Sequence, residues 1–214
     1  MWETVVLLNH VCSSYLQLEF HSQAFSSQSQ PKMLPRLNLI AATCEGMGIG
    51  INGHLPWCLK KEMAFFTYMT SKTKHPNKKN VVLMGRRTWE CIPPKYRPLK
   101  NRINIVLTSQ VLNLGNEAIV CHSLPEAIET ISSSPLKDEI EQIWVIGGSL
   151  VYKASMELPN FHRLYLTRVK KQFECDTFFP PIPNNVMLLD DPEVPKGIQE
   201  EGGLQFLYEV YEKV

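Results

Sequence analysis

A glutamate sits where the pattern of this chain asks for an apolar residue. In the run Leu59-Lys60-Lys61-Glu62-Met63-Ala64-Phe65-Phe66-Thr67-Tyr68-Met69, helical geometry places Leu59, Phe65, Phe66 and Met69 within about 60° of Glu62. Lys60, Lys61 and Thr67 fall on the opposite side. A lone carboxylate on an apolar face is costly. Either a hydroxyl or backbone group inside the core satisfies Glu62, or the acid faces a ligand and does chemistry. The pattern alone leaves both readings open.

Three glycine- or arginine-bearing turns accompany it. Gly46-Met47-Gly48-Ile49-Gly50-Ile51-Asn52-Gly53 precedes His54-Leu55-Pro56-Trp57 and reads as a flexible loop that approaches a ligand closely, or as a plain surface loop. It does not match the dinucleotide fingerprint that runs directly into a helix. Met84-Gly85-Arg86-Arg87-Thr88-Trp89 closes an apolar run and opens a helical one. Helix-start amides beside two guanidinium groups suit a phosphate, and a solvated basic turn has the same look. Val145-Ile146-Gly147-Gly148-Ser149-Leu150-Val151-Tyr152 repeats the order strand, glycines, helix, in which a diphosphate can lie against the backbone.

The elements that must position these groups alternate. Apolar runs at 37–42, 81–84, 103–107, 143–146 and 164–167 read as buried strands, and helical patterns occupy 59–70, 87–91, 124–132 and 149–155. Ser123-Leu124-Pro125-Glu126 is a capping box with proline near the start. The alternation at Leu204–Tyr211 predicts a final strand with one wetter face. The fold expected is a single α/β domain: a mainly parallel central sheet of about eight strands with an antiparallel C-terminal edge and helices on both faces. Ligands in such sheets sit beyond the carboxyl ends of the strands.

Composition bounds the rest. The 214 residues are 44% hydrophobic and 20% charged, with a formal net charge of +1, which argues against a disordered chain and against an obligate nucleic-acid partner. Val5-Val6-Leu7-Leu8 is too short to span a bilayer. The six cysteines are scattered without a Cys-x-x-Cys pair, and with the six histidines they show no metal-ligand spacing, so reduced thiols and no metal are expected. Residues 1–32, with a polar, nearly uncharged stretch from Ser22 to Gln30, read as a disordered extension. No arginine precedes Arg36, which argues against a mitochondrial presequence, and Met33 is a candidate alternative start. A cytoplasmic monomer is the expectation.

Taken together, the motifs closely resemble dihydrofolate reductase of the animal type. Met47-Gly48-Ile49-Gly50 with Leu55-Pro56-Trp57 is similar to the opening signature of that family, and Glu62 stands five residues after the tryptophan, where the family carries its active-site acid. Gly85-Arg86-Arg87-Thr88-Trp89, Ile92-Pro93, Arg97-Pro98-Leu99-Lys100-Asn101-Arg102, Gly147-Gly148 and Asp176-Thr177-Phe178-Phe179-Pro180 follow in the family's order. The likeness runs from about Leu37 to Tyr208-Glu209-Val210-Tyr211-Glu212.

The resemblance implies NADPH-dependent reduction of 7,8-dihydrofolate to tetrahydrofolate, a step of one-carbon metabolism, with antifolates such as methotrexate as inhibitors. Hydride would reach pterin C6 and a proton N5. Glu62 and Trp57 would be the catalytic pair, with Thr167 supporting Glu62 against the pterin. Ile40, Ala42, Ile146 and Tyr152 would form the inner wall of the substrate pocket. Met63 and Phe66 would face Ile92, Pro93 and Leu99 across it, and Arg102 would clamp the substrate's α-carboxylate. On the cofactor side, Ala42, Ile49, Gly50 and Gly53 would lie at the nicotinamide end. Gly85, Arg86, Arg87 and Thr88 would hold phosphates, as would Gly147, Gly148, Ser149, Leu150, Val151 and Tyr152 along the diphosphate. Thr108, Ser109 and His122 would surround the adenosine end.

Some positions depart from the family. Ser109 and His122 stand where animal members commonly carry arginines near the 2′-phosphate; Met63 replaces an aromatic; Cys58 follows Trp57 in place of Pro or Asn. Two other readings compete: an inactive folate- or nucleotide-binding protein, and a reductase of another heterocycle. Retention of Glu62, Trp57, Arg102 and both glycine motifs speaks against the first, and Arg102 in its Arg-Pro-Leu-Lys-Asn-Arg setting against the second.

Overall fold

The computed structural model describes residues 34–214. The expectations for residues 1–32 and for Met33 lie outside the described residues. Strands β1 (Leu37–Thr43), β2 (Gly48–Gly50), β3 (Lys79–Gly85), β4 (Arg102–Leu107), β5 (Ile119–Cys121), β6 (Ile140–Gly147) and β7 (Phe161–Val169) alternate with helices α1 (Lys60–Ser71), α2 (Arg86–Cys91), α3 (Leu124–Ile131), α4 (Leu136–Glu139) and α5 (Ser149–Glu157). Four more strands follow: β8 (Thr177–Phe178), β9 (Val186–Leu189), β10 (Gln199–Glu201) and β11 (Leu204–Lys213).

The main sheet runs β10-β11-β7-β1-β6-β3-β4-β5, with β9 also paired to β11. From β7 to β5 every neighbouring pair is parallel, and β9, β10 and β11 form the antiparallel C-terminal edge. Parallel strands covered on both faces need apolar side chains on both, which is why β1, β3 and β6 read as near-continuous hydrophobic runs. Leu37, Leu39, Val81, Leu83, Ile143 and Val145 point to the side closed by α3 and α5. Ile40, Val82, Met84, Trp144 and Ile146 point to the side closed by Phe65 and Met69 of α1 and Trp89 of α2.

The structure also adds elements that the sequence pattern does not announce: α4, β5, the β2–β8 pair, β9 and β10. The expected capping box at α3 exists in altered form. Ser123 Oγ accepts from the Glu126 amide at 3.2 Å, but the Glu126 carboxylate returns to the amide of His122, at 2.7 Å, rather than to Ser123. No helix among the described residues is long and apolar enough to cross a membrane.

Candidate active site

The topology changes direction between β1 and β6, and a crevice is expected there. The chain leaves β1 toward β3 through α1 on one face, and leaves β6 toward β7 through α5 on the other. β1 and β6 are neighbours, so beyond their carboxyl ends the two helices diverge, which is where ligands bind in sheets of this kind. The Tyr152 hydroxyl donates to the carbonyl of Ile40 at 2.8 Å, tying α5 to β1 beneath this crevice.

Glu62 lies in the first turn of α1 and is only 5% exposed. Thr167 Oγ1 on β7 donates to its Oε1 over a long 3.4 Å. One weak bond offsets little of the cost of burying the charge, and burial pushes the carboxyl from 4.5 up to about 7. Near neutral pH this side chain is therefore poised between acid and carboxylate.

Leu59, before the first turn of α1, offers no capping side chain. Its exposed amides are met instead by Glu201 of β10, whose two oxygens accept from Lys60 N at 2.9 Å and Lys61 N at 2.7 Å. A carboxylate at this end also suits the helix dipole. The hairpin at the far C-terminal edge thus fixes the start of the helix that carries Glu62.

Around Glu62 the expected substrate residues divide by exposure. Ile40, Ile146 and Tyr152 are buried, and Ala42 is half-buried. Phe66, Ile92 and Leu99 are half-buried against the α1-side core, whereas Met63 (48% exposed) and Pro93 stand open to solvent. Trp57 is buried with Leu59, Val169 and Phe206, and its indole N–H meets no acceptor among the described residues.

Arg102 begins β4 and is held at both ends of its guanidinium. Nε donates to Lys100 O at 3.0 Å and Nη1 to Thr70 Oγ1 at 2.8 Å. Burial pulls its pKa down from the ordinary arginine value, as expected for a cation with no carboxylate partner among the described residues. Buried Asn104 braces the preceding turn, exchanging bonds with the Leu99 amide and carbonyl at 3.0 Å each and donating to Arg102 O at 3.1 Å. Thr70 and Asn104, which hold Arg102 and its turn, are not named by the sequence pattern.

The glycine-rich loop is strapped to a distant segment. Gly48 and Gly50 pair with Phe178 and Thr177. Phe179 N donates to Met47 O at 2.8 Å, Asp176 N to Gly50 O at 3.0 Å, and Asn52 N to the Asp176 carboxylate at 2.7 Å. Ser149 Oγ, at the start of α5, donates to Phe178 O at 2.6 Å. Ile49 is half-buried and Gly53 exposed along this strap.

Beyond the crevice, strand ends crowd together. A Cβ on Gly148 would lie 3.3 Å from Thr88 Oγ1, one on Gly147 3.3 Å from the Tyr152 hydroxyl, and one on Gly85 3.3 Å from Val151. Gly147 also has φ +124°, a conformation that L side chains rarely adopt. A groove of 270 Å³ continues past them, lined by Leu107, Thr108, Ser109, His122, Leu150 and Val151 among others. It brings together residues expected at the adenosine end. His122 Nδ1 lies 3.0 Å from Thr108 O, and Leu150 is 82% exposed at the groove. Arg87 is exposed, but the Arg86 guanidinium is already engaged by both oxygens of Glu90, at 2.6 and 2.8 Å. Among the described residues no cluster of His, Cys, Asp and Glu has the makings of a metal site.

Comparison with known proteins converges on the same region of the chain. A family model described as dihydrofolate reductase matches residues 36–213. A dihydrofolate reductase of Heliothis virescens is 51% identical over 184 residues, covering 84% of this chain and 98% of that protein. One of Gallus gallus is 46% identical over 181 residues, covering 83% and 96%. Among solved structures, Schistosoma mansoni dihydrofolate reductase superposes with a TM-score of 0.77 at 36% identity, covering 85% of this chain and all of that one (100%).

Proposed function

The chain belongs to the dihydrofolate reductase family, and on that footing we propose that it reduces 7,8-dihydrofolate to tetrahydrofolate with NADPH, as a monomer. The observation that carries this reading is Glu62: an acid with one weak partner among the described residues, buried in the first turn of α1 and raised to about 7. Such a group can pair with the amino and ring N–H groups of a pterin as a carboxylate, and can hold a proton for the ring as an acid. Of the two tyrosines that feel the Glu62 charge, Tyr152 and Tyr208, the first has its proton committed to Ile40 O.

The remaining residues bind and orient. Phe66, Ile92 and Leu99 offer half-buried apolar surface to the flat rings of a folate, with Met63 and Pro93 at the rim. Arg102, prealigned by Thr70 and Lys100 O, is ready for bidentate pairing with the α-carboxylate of the glutamate tail. The strapped glycine loop, with Ile49 and Gly50, would lie against the nicotinamide end and limit water there.

The cofactor side fits a dinucleotide by its own features. Gly85, Gly147 and Gly148 let backbone pack closely against Val151, Tyr152 and Thr88 with no Cβ in the way, and the groove presents hydroxyls and an exposed leucine. When bound, NADPH supplies the hydride for pterin C6. Arg87, Thr88 and the amides opening α2 and α5 would hold its phosphates, Arg86 joining them on release from Glu90. Thr108, Ser109 and His122 would contact the adenosine end.

The test is loss of NADPH absorbance in the presence of the protein. The proposal expects loss that depends on dihydrofolate, is slower with NADH and is abolished by methotrexate. Absence of turnover with tight methotrexate binding would instead indicate an inactive folate binder.

A further inference from the structure

Two of the cysteines meet across the glycine-rich loop. Cys44, buried at the end of β1, and Cys175, half-exposed ahead of β8, bring their Sγ atoms to 3.7 Å. The contact depends on Gly48 between them: a Cβ there would fall 2.4 Å from Cys175 Sγ and 2.9 Å from Cys44 Sγ. The φ of Gly48 is −64°, which any residue adopts, so it is space for the two thiols that requires glycine here. The chain on either side is the strap that holds loop 47–52 to 176–179.

We infer that Cys44 and Cys175 form a redox-responsive dithiol whose disulfide staples the glycine-rich loop to the 175–179 segment. The sulfurs need only approach from 3.7 Å to the bonded distance of about 2.05 Å. The oxidant is a small-molecule disulfide such as oxidised glutathione. Cys175, the more accessible thiol, loses its proton and attacks one sulfur, releasing one thiol and leaving a mixed disulfide on Cys175. Cys44, deprotonated in turn, attacks Cys175 Sγ and expels the second thiol. The pair loses two electrons and two protons, and the glutathione disulfide gains them. Burial and the neighbouring Cys44 push the Cys175 thiol up, so exchange proceeds faster in mildly alkaline buffer. Among the described residues the other cysteines are placed differently: Cys58 and Cys91 are exposed, and Cys121 is buried beside Thr130.

The experiment treats the full chain with oxidised glutathione and maps unreduced tryptic peptides by mass. Cys44 and Cys58 share the peptide that ends at Lys60, so fragmentation assigns the linked sulfur. Expected is a Cys44–Cys175 cross-link lighter by two hydrogens, reversed by dithiothreitol and absent in Cys175→Ser and Cys44→Ser. Hydrogen exchange at amides 46–52 should slow several-fold on oxidation of the wild type only. Glutathione left on Cys175 without a cross-link, linkage to a different cysteine, or a cross-link with no change in exchange would overturn the inference. Neither readout uses turnover, so the result is independent of the proposed reductase activity.

Discussion

Thr70 Oγ1 accepts a hydrogen bond from Arg102 Nη1 at 2.8 Å while donating its own proton to Phe66 O at 2.7 Å. The hydroxyl has one proton, and committing it to the carbonyl one turn back leaves its lone pairs facing the guanidinium. Arg102 is thus oriented before any ligand arrives, and its free edge is available for a carboxylate.

Removing that cation should separate ligands by their tails. Arg102→Leu is expected to weaken dihydrofolate binding by about 10–100-fold, the worth of charge-assisted hydrogen bonds, while small diaminopyrimidines without a glutamate change little. Thr70→Val should show the same pattern at about 5-fold. Equilibrium titration with both ligand types reads the difference, and equal losses for both would refute the clamp.

Asn104 supports the same turn from below, filling the Leu99 amide, the Leu99 carbonyl and the Arg102 carbonyl. Asn104→Leu leaves those backbone groups without that partner at a buried position and is expected to cost about 2–3 kcal/mol in chemical denaturation. Its folate affinity should fall in parallel with Arg102→Leu, because the arginine loses its frame.

The groove proposed for the adenosine end is lined by hydroxyls and a histidine, and Arg86 is tied to Glu90. His122→Arg should therefore tighten NADPH by about 10-fold with little effect on NADH. Fluorescence titration of the two nucleotides measures the ratio, and an unchanged ratio would place the 2′-phosphate elsewhere.

Much of this arrangement is legible in the sequence, because it is local. Glu62 declares itself by standing on an apolar helical face, and β1, β3 and β6 by apolar runs that only two-sided burial explains. What is not legible depends on partners far along the chain. Thr70 looks like any polar residue near a helix end until Arg102 reaches it from β4. Asn104 sits inside an apolar strand pattern, and its purpose is set by a turn that the pattern does not describe. Glu201 caps α1 across 140 residues and more, a relationship no local motif encodes. β9 and β10 are short and share one edge of β11, and β9, with Met187 and Leu188 both exposed, carries no burial alternation to read.

The raised Glu62 carboxyl also leaves a mark on stability. Between pH 4.5, its ordinary value, and about 7 the folded protein holds a proton that the unfolded chain has released. Stability attributable to this group therefore declines as pH rises through that window and levels off above it. Relative to Glu62→Gln, the wild type should lose about 3 kcal/mol between the two ends. Denaturation curves of both proteins across the window check this, and parallel curves would mean that Glu62 titrates normally.

Single-turnover NADPH oxidation with dihydrofolate separates a role of Glu62 in protonating the pterin from a role in binding alone. In Glu62→Ala, measured with saturating ligands from about pH 5 to about pH 8, a deficit of roughly 100-fold or more is expected at neutral pH. That deficit should narrow in acid, where solvent protonates N5 without help. A deficit of the same size at every pH would contradict a role in protonation, and no deficit at all would remove Glu62 from the chemistry.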